Sequence, residues 1–323
     1  MANIQLPITS VIKGQMFEGF LLVRASAQRT GQTGTKYLDM TLCDRSGEVN
    51  AKMWDGQTAA PAVGSVVKVR AMMQEYNNKP QLRVDKMRPA TEDDGFEMSM
   101  LVPCAPYPAE EMYSAVRTRA EAIADSDLRA IVVTRLDEVE EKLLYAPAAM
   151  RLHHSERSGL LHHTSTMLKT ADAVCAVYTH LDADLLTAGV ILHDLGKITE
   201  MNYDSMGVVT DYTVEGMLIG HLVQGAADIK RVGEDLGVRK ELIWMLQHML
   251  LSHHDLPEYG SPKPPMFPEA EVLHIIDLLD ARMFEMTQAI SAIAPGCFTD
   301  RIWSLDRKLY RRQRRPGEPS DSE

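Results

Sequence analysis

Most of the eleven histidines of this chain fall in segments of helical periodicity that also carry aspartates on apolar faces. In GLLHHTSTMLKTADAVCAVY the apolar face runs through Leu160, Thr164, Met167, Ala171, Val174 and Tyr178. His163 lies one turn before Met167 on that face, and His162 is turned away from it. GVILHDLGK places His193 and Asp194 after an apolar run, with Gly196 marking the helix end. EGMLIGHLV sets His221 one turn after Met217, and LIWMLQHMLLSHHD sets His253 one turn beyond Met249 with His254 beside it. VLHIIDLLDARMF spaces Asp277 and Asp280 three residues apart, one turn from Leu273 and Phe284.

A single inward histidine is ordinarily a satisfied core residue. Several that point inward together with carboxylates are different, because a buried unpaired carboxylate is costly unless it meets a cation. Imidazole mixed with carboxylate suits Mn, Fe, Co, Ni or Zn, and helix-borne ligands hold such ions rigidly. One or two divalent transition-metal ions held in this way would act as Lewis acids and lower the pKa of a bound water. Thiolates take no part: Cys43, Cys104, Cys175 and Cys297 are far apart and form no CxxC pair. That excludes a zinc finger and a disulfide framework and points to a reducing, cytoplasmic compartment.

These residues need helices to position them, and helical periodicity dominates from about 108 to 310. Candidate helices cover 108–124, 126–143, 160–179, 183–195, 213–229, 237–252 and 268–292. Residues 1–90 read instead as five short, mostly alternating strands at 17–26, 36–44, 48–54, 65–73 and 81–88. Turns at 30–34, 44–47 and 76–80 separate them, and a short helix-like insertion, QTAAPAVG, lies between the third and fourth. Five strands in this arrangement predict a small Greek-key barrel. The stretch 91–107, acidic and then proline-bearing, reads as a linker, and 311–323 as a disordered tail. The fold class is therefore multidomain: a small all-β barrel followed by an all-α domain.

Charge divides along the same boundary. Residues 1–90 hold twelve basic against seven acidic residues, a net +5, and the remainder carries -16 of the total of -11. A basic module beside an acidic one suggests that the first recruits a polyanion. No apolar run approaches the roughly 18 residues of a membrane span, and no charged leader precedes an apolar stretch, so neither a membrane partner nor a signal peptide is expected.

The order His163, His193-Asp194, Asp277 resembles the HD phosphohydrolase superfamily, and His221 with the His253-His254 pair resembles its two-metal members. The flanking text is closer still. GLLHHTSTML, ILHDLGK, EGMLIGHLV, LSHHDLPEYGSPKPP and LHIIDLLDARM resemble the YhaM family of 3'-5' exoribonucleases, which joins an N-terminal OB-fold to an HD domain. KYLDMTLCDRSGEVNAKMWD resembles that family's OB segment, so the likeness spans roughly 8–300. The resemblance implies that His163, His193, Asp194 and Asp277 ligate a first metal. Asp194 would bridge to a second, held by His221 and by His253 or His254, helical phase favouring His253. Asp280 would support the ligands from behind, and Lys197 would contact substrate phosphate beside the catalytic Asp194. The metal is expected to be Mn²⁺, with Fe, Co, Ni or Zn as alternatives. The barrel would contact phosphates through Arg24, Lys36, Lys68, Arg70, Lys79 and Arg83 and stack bases on Tyr37, Trp54 and Tyr76.

Three functions fit these residues. The first is a 3'-5' exonuclease on single-stranded RNA, extending to single-stranded DNA, that yields 5'-mononucleotides. The second is a nucleotide or cyclic-nucleotide phosphohydrolase with a regulatory OB domain. HHDLPEYGSPKPP departs from the GYP motif of cyclic-dinucleotide phosphodiesterases, which weakens it. The third is a nucleic-acid-binding protein without catalysis, against which the intact ligand set argues.

Overall fold

The computed structural model describes residues 5–31, 34–55, 58–77, 79–150 and 154–313. The chain divides into two compact units, Met1–Cys104 with Asp204–Val208, and Ala105–Tyr203 with Val209–Glu323.

The first unit is a closed barrel of β1 (Met16–Thr30), β2 (Lys36–Asp44), β3 (Gly47–Met53), β4 (Val66–Tyr76) and β5 (Lys79–Pro89), in the order β1-β2-β3-β5-β4. All pairings are antiparallel except β3 with β5, where Asn50, Ala51 and Lys52 run parallel to Gln81, Leu82 and Arg83. Alternation decides the inside: Leu38, Met40, Leu42, Ala51, Val67, Val69, Ala71 and Leu82 are all buried, and closure leaves the sheet without a free edge. The strands run longer than their patterns suggest. β1 continues to Thr30 past a bulge between Val23 and Ala25, and β4 and β5 stay paired out to Tyr76 and Lys79.

The insertion expected to be helix-like forms no helix among its described residues, 58–64. Pro61 disfavours helical backbone at Ala60, and small apolar side chains give such a turn nothing to bury. The stretch expected as a linker is ordered through Cys104. It carries 3-10 turns at Glu92–Asp94 and Met98–Met100, and Leu101 and Val102 are buried with Leu22, Cys43, Val66 and Met206.

The second unit holds α1 (Ala109–Glu121), α2 (Ser126–Leu143), α3 (Gly159–Val177), α4 (Ala183–Leu192), α5 (Lys197–Glu200), α6 (Val214–Leu218), α7 (His221–Asp235), α8 (Lys240–Ser252) and α9 (Pro268–Ser291). One core unites all of these but α6, with Leu136, Leu160, Met167, Leu186, Leu246, Met249 and Leu273 fully buried. Side-chain caps fix three starts: Asp125 accepts from the N–H groups of Asp127 and Leu128, Asp182 from that of Leu185, and Thr213 from that of Gly216. A hairpin, β6 (Met201–Tyr203) and β7 (Val209–Tyr212), interrupts the helices.

Two expected helices are broken. The one expected over 183–195 ends at Leu192 before α5 begins, and the one over 213–229 breaks at Ile219-Gly220, where Gly220 takes φ +78°. After α9 the described residues, through 313, form no further helix; Phe298 bridges Tyr310 and Ile302 bridges Arg307. Of the tail expected to be disordered, 314–323 lies outside the described residues. No helix among the described residues is long and apolar enough to cross a membrane.

Candidate metal centre

Asp194 stands where α4 gives way to α5, and four other elements aim side chains at it. The His193 side chain is fixed first: its Nδ1 meets the Val190 carbonyl at 2.9 Å, which turns Nε2 inward. His163 of α3 lies with Nε2 3.3 Å from His193 Nε2, 3.3 Å from Asp277 Oδ1 of α9, and 3.8 Å from Asp194 Oδ2. His193 Nε2 is 3.4 Å from Asp194 Oδ2. Donors that share a tetrahedral ion at about 2.0–2.1 Å lie roughly 3.3 Å apart; the ligand atoms of His163, His193 and Asp277 all lie within 4.8 Å of one another, and Asp194 Oδ2 stands beside the two imidazoles of that group.

The other oxygen of Asp194 serves a second group. Oδ1 is 3.6 Å from His221 Nε2 and 3.7 Å from His253 Nε2. His253 Nδ1 is held by the Leu250 carbonyl at 2.8 Å, and His254 Nδ1 by that of Tyr259 at 2.9 Å. His221, His253 and His254 offer ligand atoms to one point, so the structure brings both members of the pair together. Asp194 Oδ1, His221 Nε2 and His253 Nε2 are buried with no hydrogen-bond partner. Three orphaned polar atoms that face each other are costly as they stand, and a cation between them would satisfy all three. The residues present therefore fit a divalent metal on each side of Asp194.

Electrostatics agree. Burial holds the His253 imidazole down at about 3, so it is a neutral donor at physiological pH. Burial also opposes protonation of His163, but Asp277 and Asp280 overcome it and raise that group to about 9. Burial would raise the Asp194 carboxyl; Lys197 and His193 outweigh it and hold the group well below the usual carboxylate range. Lys197 Nζ donates to Asp194 Oδ2 at 2.7 Å, so this ammonium braces the carboxylate expected to bridge.

Outer partners orient the imidazoles. Asp280 Oδ2 lies 2.7 Å from His163 Nδ1 and 2.8 Å from His154 Nε2. His162 lies half-buried behind the site, with Nδ1 2.8 Å from Glu156 Oε1 and 3.2 Å from His154 Nδ1. Glu200 accepts from both the backbone N–H and Nδ1 of His221 at 3.0 Å, which directs Nε2 at Asp194. Carboxylates placed in this way fix tautomer and raise ligand basicity. Sequence reading missed His154, Glu156 and Glu200. The first two precede α3 in a loop without periodicity, and Glu200 follows the HDLGK motif as an ordinary helix acid. Met217, read as an inward neighbour of His221, is 71% exposed, because the break at Gly220 resets the helical phase.

On the barrel, the nine expected nucleic-acid contacts separate. Tyr37 stacks on Trp54 with centroids 4.6 Å apart, and Lys52 Nζ sits 5.0 Å over Tyr37 and 5.6 Å over Tyr76. Arg83 is in register with Lys52, Lys36 starts β2 beside Tyr37, and Lys79 pairs with Tyr76. Lys52 was not foreseen; its alternation with Asn50 and Trp54 was the available signal. The others lie elsewhere: Arg24 faces Glu48 at 3.6 Å, Lys68 faces Asp94 at 3.7 Å, and Arg70 lies opposite Glu18.

Family comparison agrees with both units. The HD domain model matches residues 160–282 and a model described as OB-fold nucleic acid binding domain matches residues 22–90. The chain is 37% identical over 302 residues to the 3'-5' exoribonuclease YhaM of Bacillus licheniformis, covering 92% of this chain and 95% of that one. It is 36% identical over 302 residues to YhaM of Bacillus subtilis, with the same coverage. To YhaM of Listeria monocytogenes it is 37% identical over 300 residues, again 92% and 95%. Shared along nearly the whole length of both chains, and with the two domains in the same order, this likeness shows that the chain belongs to the YhaM family of 3'-5' exoribonucleases.

Proposed function

We propose that this protein is a divalent-metal-dependent exoribonuclease that shortens single-stranded RNA from its 3' end and releases 5'-mononucleotides. The observation that carries the hydrolytic part is the division of Asp194: Oδ2 faces His163 and His193, while Oδ1 faces His221 and His253 across orphaned buried atoms. His163, His193, Asp194 and Asp277 would hold one ion, and Asp194, His221, His253 and His254 a second. Mn²⁺ suits this thiolate-free mixture of imidazole and carboxylate. When bound, the ions supply Lewis acidity to a phosphodiester and activate water against it. Lys197 holds Asp194 in its bridging orientation and adds positive charge where the transferring phosphoryl group becomes more anionic.

The buried position of the ligands supports an unpaired end as substrate, because a duplex is too wide and stiff to reach them. The 3' polarity and the preference for RNA come from the relatives' names. The barrel face formed by Tyr37, Lys52, Trp54 and Tyr76 would hold the remaining strand and so keep its end near the site between cuts. The compartment is the cytoplasm, in keeping with four cysteines that form no disulfide.

The test uses end-labelled linear RNA, its circular form and single-stranded DNA, each with Mn²⁺. Stepwise shortening from the 3' end is expected, with stalls at stable stem-loops and no reaction in excess chelator. His193→Ala and Asp194→Ala should abolish it while leaving the fold intact. A circle cut as fast as the linear strand would make the protein an endonuclease.

A further inference from the structure

The segment after α9 takes no part in the metal centre, yet its composition is unlike the rest of its unit. Residues 296–311 fold back as an irregular antiparallel hairpin. Thr299 N–H donates to the Leu309 carbonyl at 2.9 Å, Ile302 N–H to that of Arg307 at 2.9 Å, and Arg311 N–H to that of Cys297 at 3.0 Å. Side chains alternate across it. Thr299, Leu305 and Leu309 are buried, while Phe298, Trp303 and Tyr310 are 65%, 80% and 50% exposed. The Phe298 and Tyr310 rings lie 5.0 Å apart. Arg301, Arg307, Lys308 and Arg312 are exposed among them, and Arg301 pairs with Asp306. With Arg311, residues 296–313 hold five basic against two acidic side chains, in a region whose net charge beyond residue 90 is -16.

The hairpin is tied to the helix that serves the metal centre. Ser304 Oγ donates to Glu285 Oε2 of α9 at 3.1 Å, and Arg311 Nη1 donates to the Ile293 carbonyl at 2.6 Å and the Ser291 carbonyl at 3.2 Å, which caps α9. Glu285 follows Asp277 by eight residues, about 12 Å along the helix axis.

Exposed aromatics gathered in one element mark a contact surface. Cations set between them narrow the partner. A wholly apolar partner would strand the ammonium and guanidinium groups. An unpaired nucleic-acid strand takes both features, bases against the rings and phosphates against the cations. A duplex keeps its base faces stacked inside and offers only the phosphates.

We propose that the hairpin 296–311 is a second single-strand-binding surface, carried by the helical unit itself. Bases stack on Phe298, Trp303 and Tyr310, and phosphates meet Arg307 and Lys308. The proposal rests on the exonuclease reading only for the identity of the strand, which is the substrate held close to the ligand helix α9.

The test measures binding of a labelled unstructured RNA by the full-length protein in chelator, where nothing is cut. The variants are Phe298→Ala/Trp303→Ala/Tyr310→Ala and Arg307→Gln/Lys308→Gln, in side chains exposed enough to leave melting unchanged. The aromatic variant should lose about tenfold or more in affinity, since each stacked base contributes on the order of 1–3 kcal/mol. The cationic variant should flatten the slope of log affinity against log salt by about 1.4, two phosphates at roughly 0.7 each. Iodouridine-substituted RNA should crosslink to the peptide containing Phe298 or Trp303. Wild-type affinity and salt slope in both variants, while the parent binds and shortens RNA, would overturn the hairpin proposal alone. A parent that neither binds nor shortens RNA overturns the exonuclease reading as well. If sedimentation shows a dimeric parent and a monomeric aromatic variant, with RNA affinity unchanged, the hairpin joins two copies of the chain and the proposal fails.

Discussion

Among the residues proposed to hold metal, His163 is the one whose charge is raised by the carboxylates around it. In the metal-free protein its two ring nitrogens face Asp277 and Asp280 at 3.3 and 2.7 Å, and these acids raise it to about 9 in spite of complete burial. The proton therefore does part of the work of a cation, placing positive charge between the two carboxylates. A group raised from about 6.5 unfolded to about 9 folded stabilises the fold fully below pH 6.5 and loses that contribution as pH climbs through 9. Metal-free protein should thus melt at progressively lower temperature between pH 6.5 and 9. Metal must expel this proton, so binding should release protons and tighten over the same range. Calorimetric titrations in buffers of different ionisation enthalpy, with melting curves of both forms, measure the two effects. A flat melting temperature across that window in chelator, or no proton release on binding, would remove His163 from the site.

At the scale of elements, legibility followed periodicity. α2 spans 126–143 as its pattern predicts, and the seven residues expected to ligate metal, from five separate segments, fall into three overlapping groups: His163-His193-Asp277, His193-Asp194-His253 and His221-His253-His254. What pattern could not supply was the way segments meet. EGMLIGHLV reads as one helix, but Gly220 at φ +78° ends the first part, and His221 begins a new helix whose direction Glu200 fixes. The outer partners His154 and Glu156 lie in a loop, where no repeat reveals which way a side chain points. Glycines carry some of this hidden information. A Cβ on Gly196 would lie 2.6 Å from the His221 carbonyl oxygen and 3.1 Å from its Cα, so only glycine lets the start of α7 approach Asp194 so closely. Gly196→Ala should push His221 outward and weaken the second metal by about tenfold or more, with the first ion retained. Gly189→Ala is the control: its Cβ would meet the flexible Met249 methyl end at 2.2 Å, which can move. Metal content after dialysis against graded chelator checks both. Two ions held by Gly196→Ala as tightly as by the parent would show that the close approach is not needed.

The molecule as a whole divides its labour by charge. The acidic helical unit holds the histidine and aspartate cluster proposed to bind metal, and the basic barrel presents Tyr37, Lys52, Trp54 and Tyr76 on one face of its wall. Polyphosphate is drawn by summed charge and held by stacking, while phosphodiester hydrolysis needs only the buried ligands. The two tasks should therefore come apart under substitution. Tyr37→Ala/Lys52→Gln/Trp54→Ala should lower affinity for a long single strand by about tenfold or more, through the stacking surfaces it removes. It should reduce the salt slope by about 0.7, the share of one phosphate on a single strand. A dinucleotide, which leaves no further strand for the barrel to hold, should be cut at the parental rate by that variant. Asp194→Asn should do the reverse, binding the long strand like the parent in chelator and cutting neither substrate. Measuring both substrates across a salt series with both variants gives the full comparison. Equal losses on the dinucleotide and the long strand in the barrel variant would mean that its face shapes the hydrolytic site itself, and the division by charge would have to be abandoned.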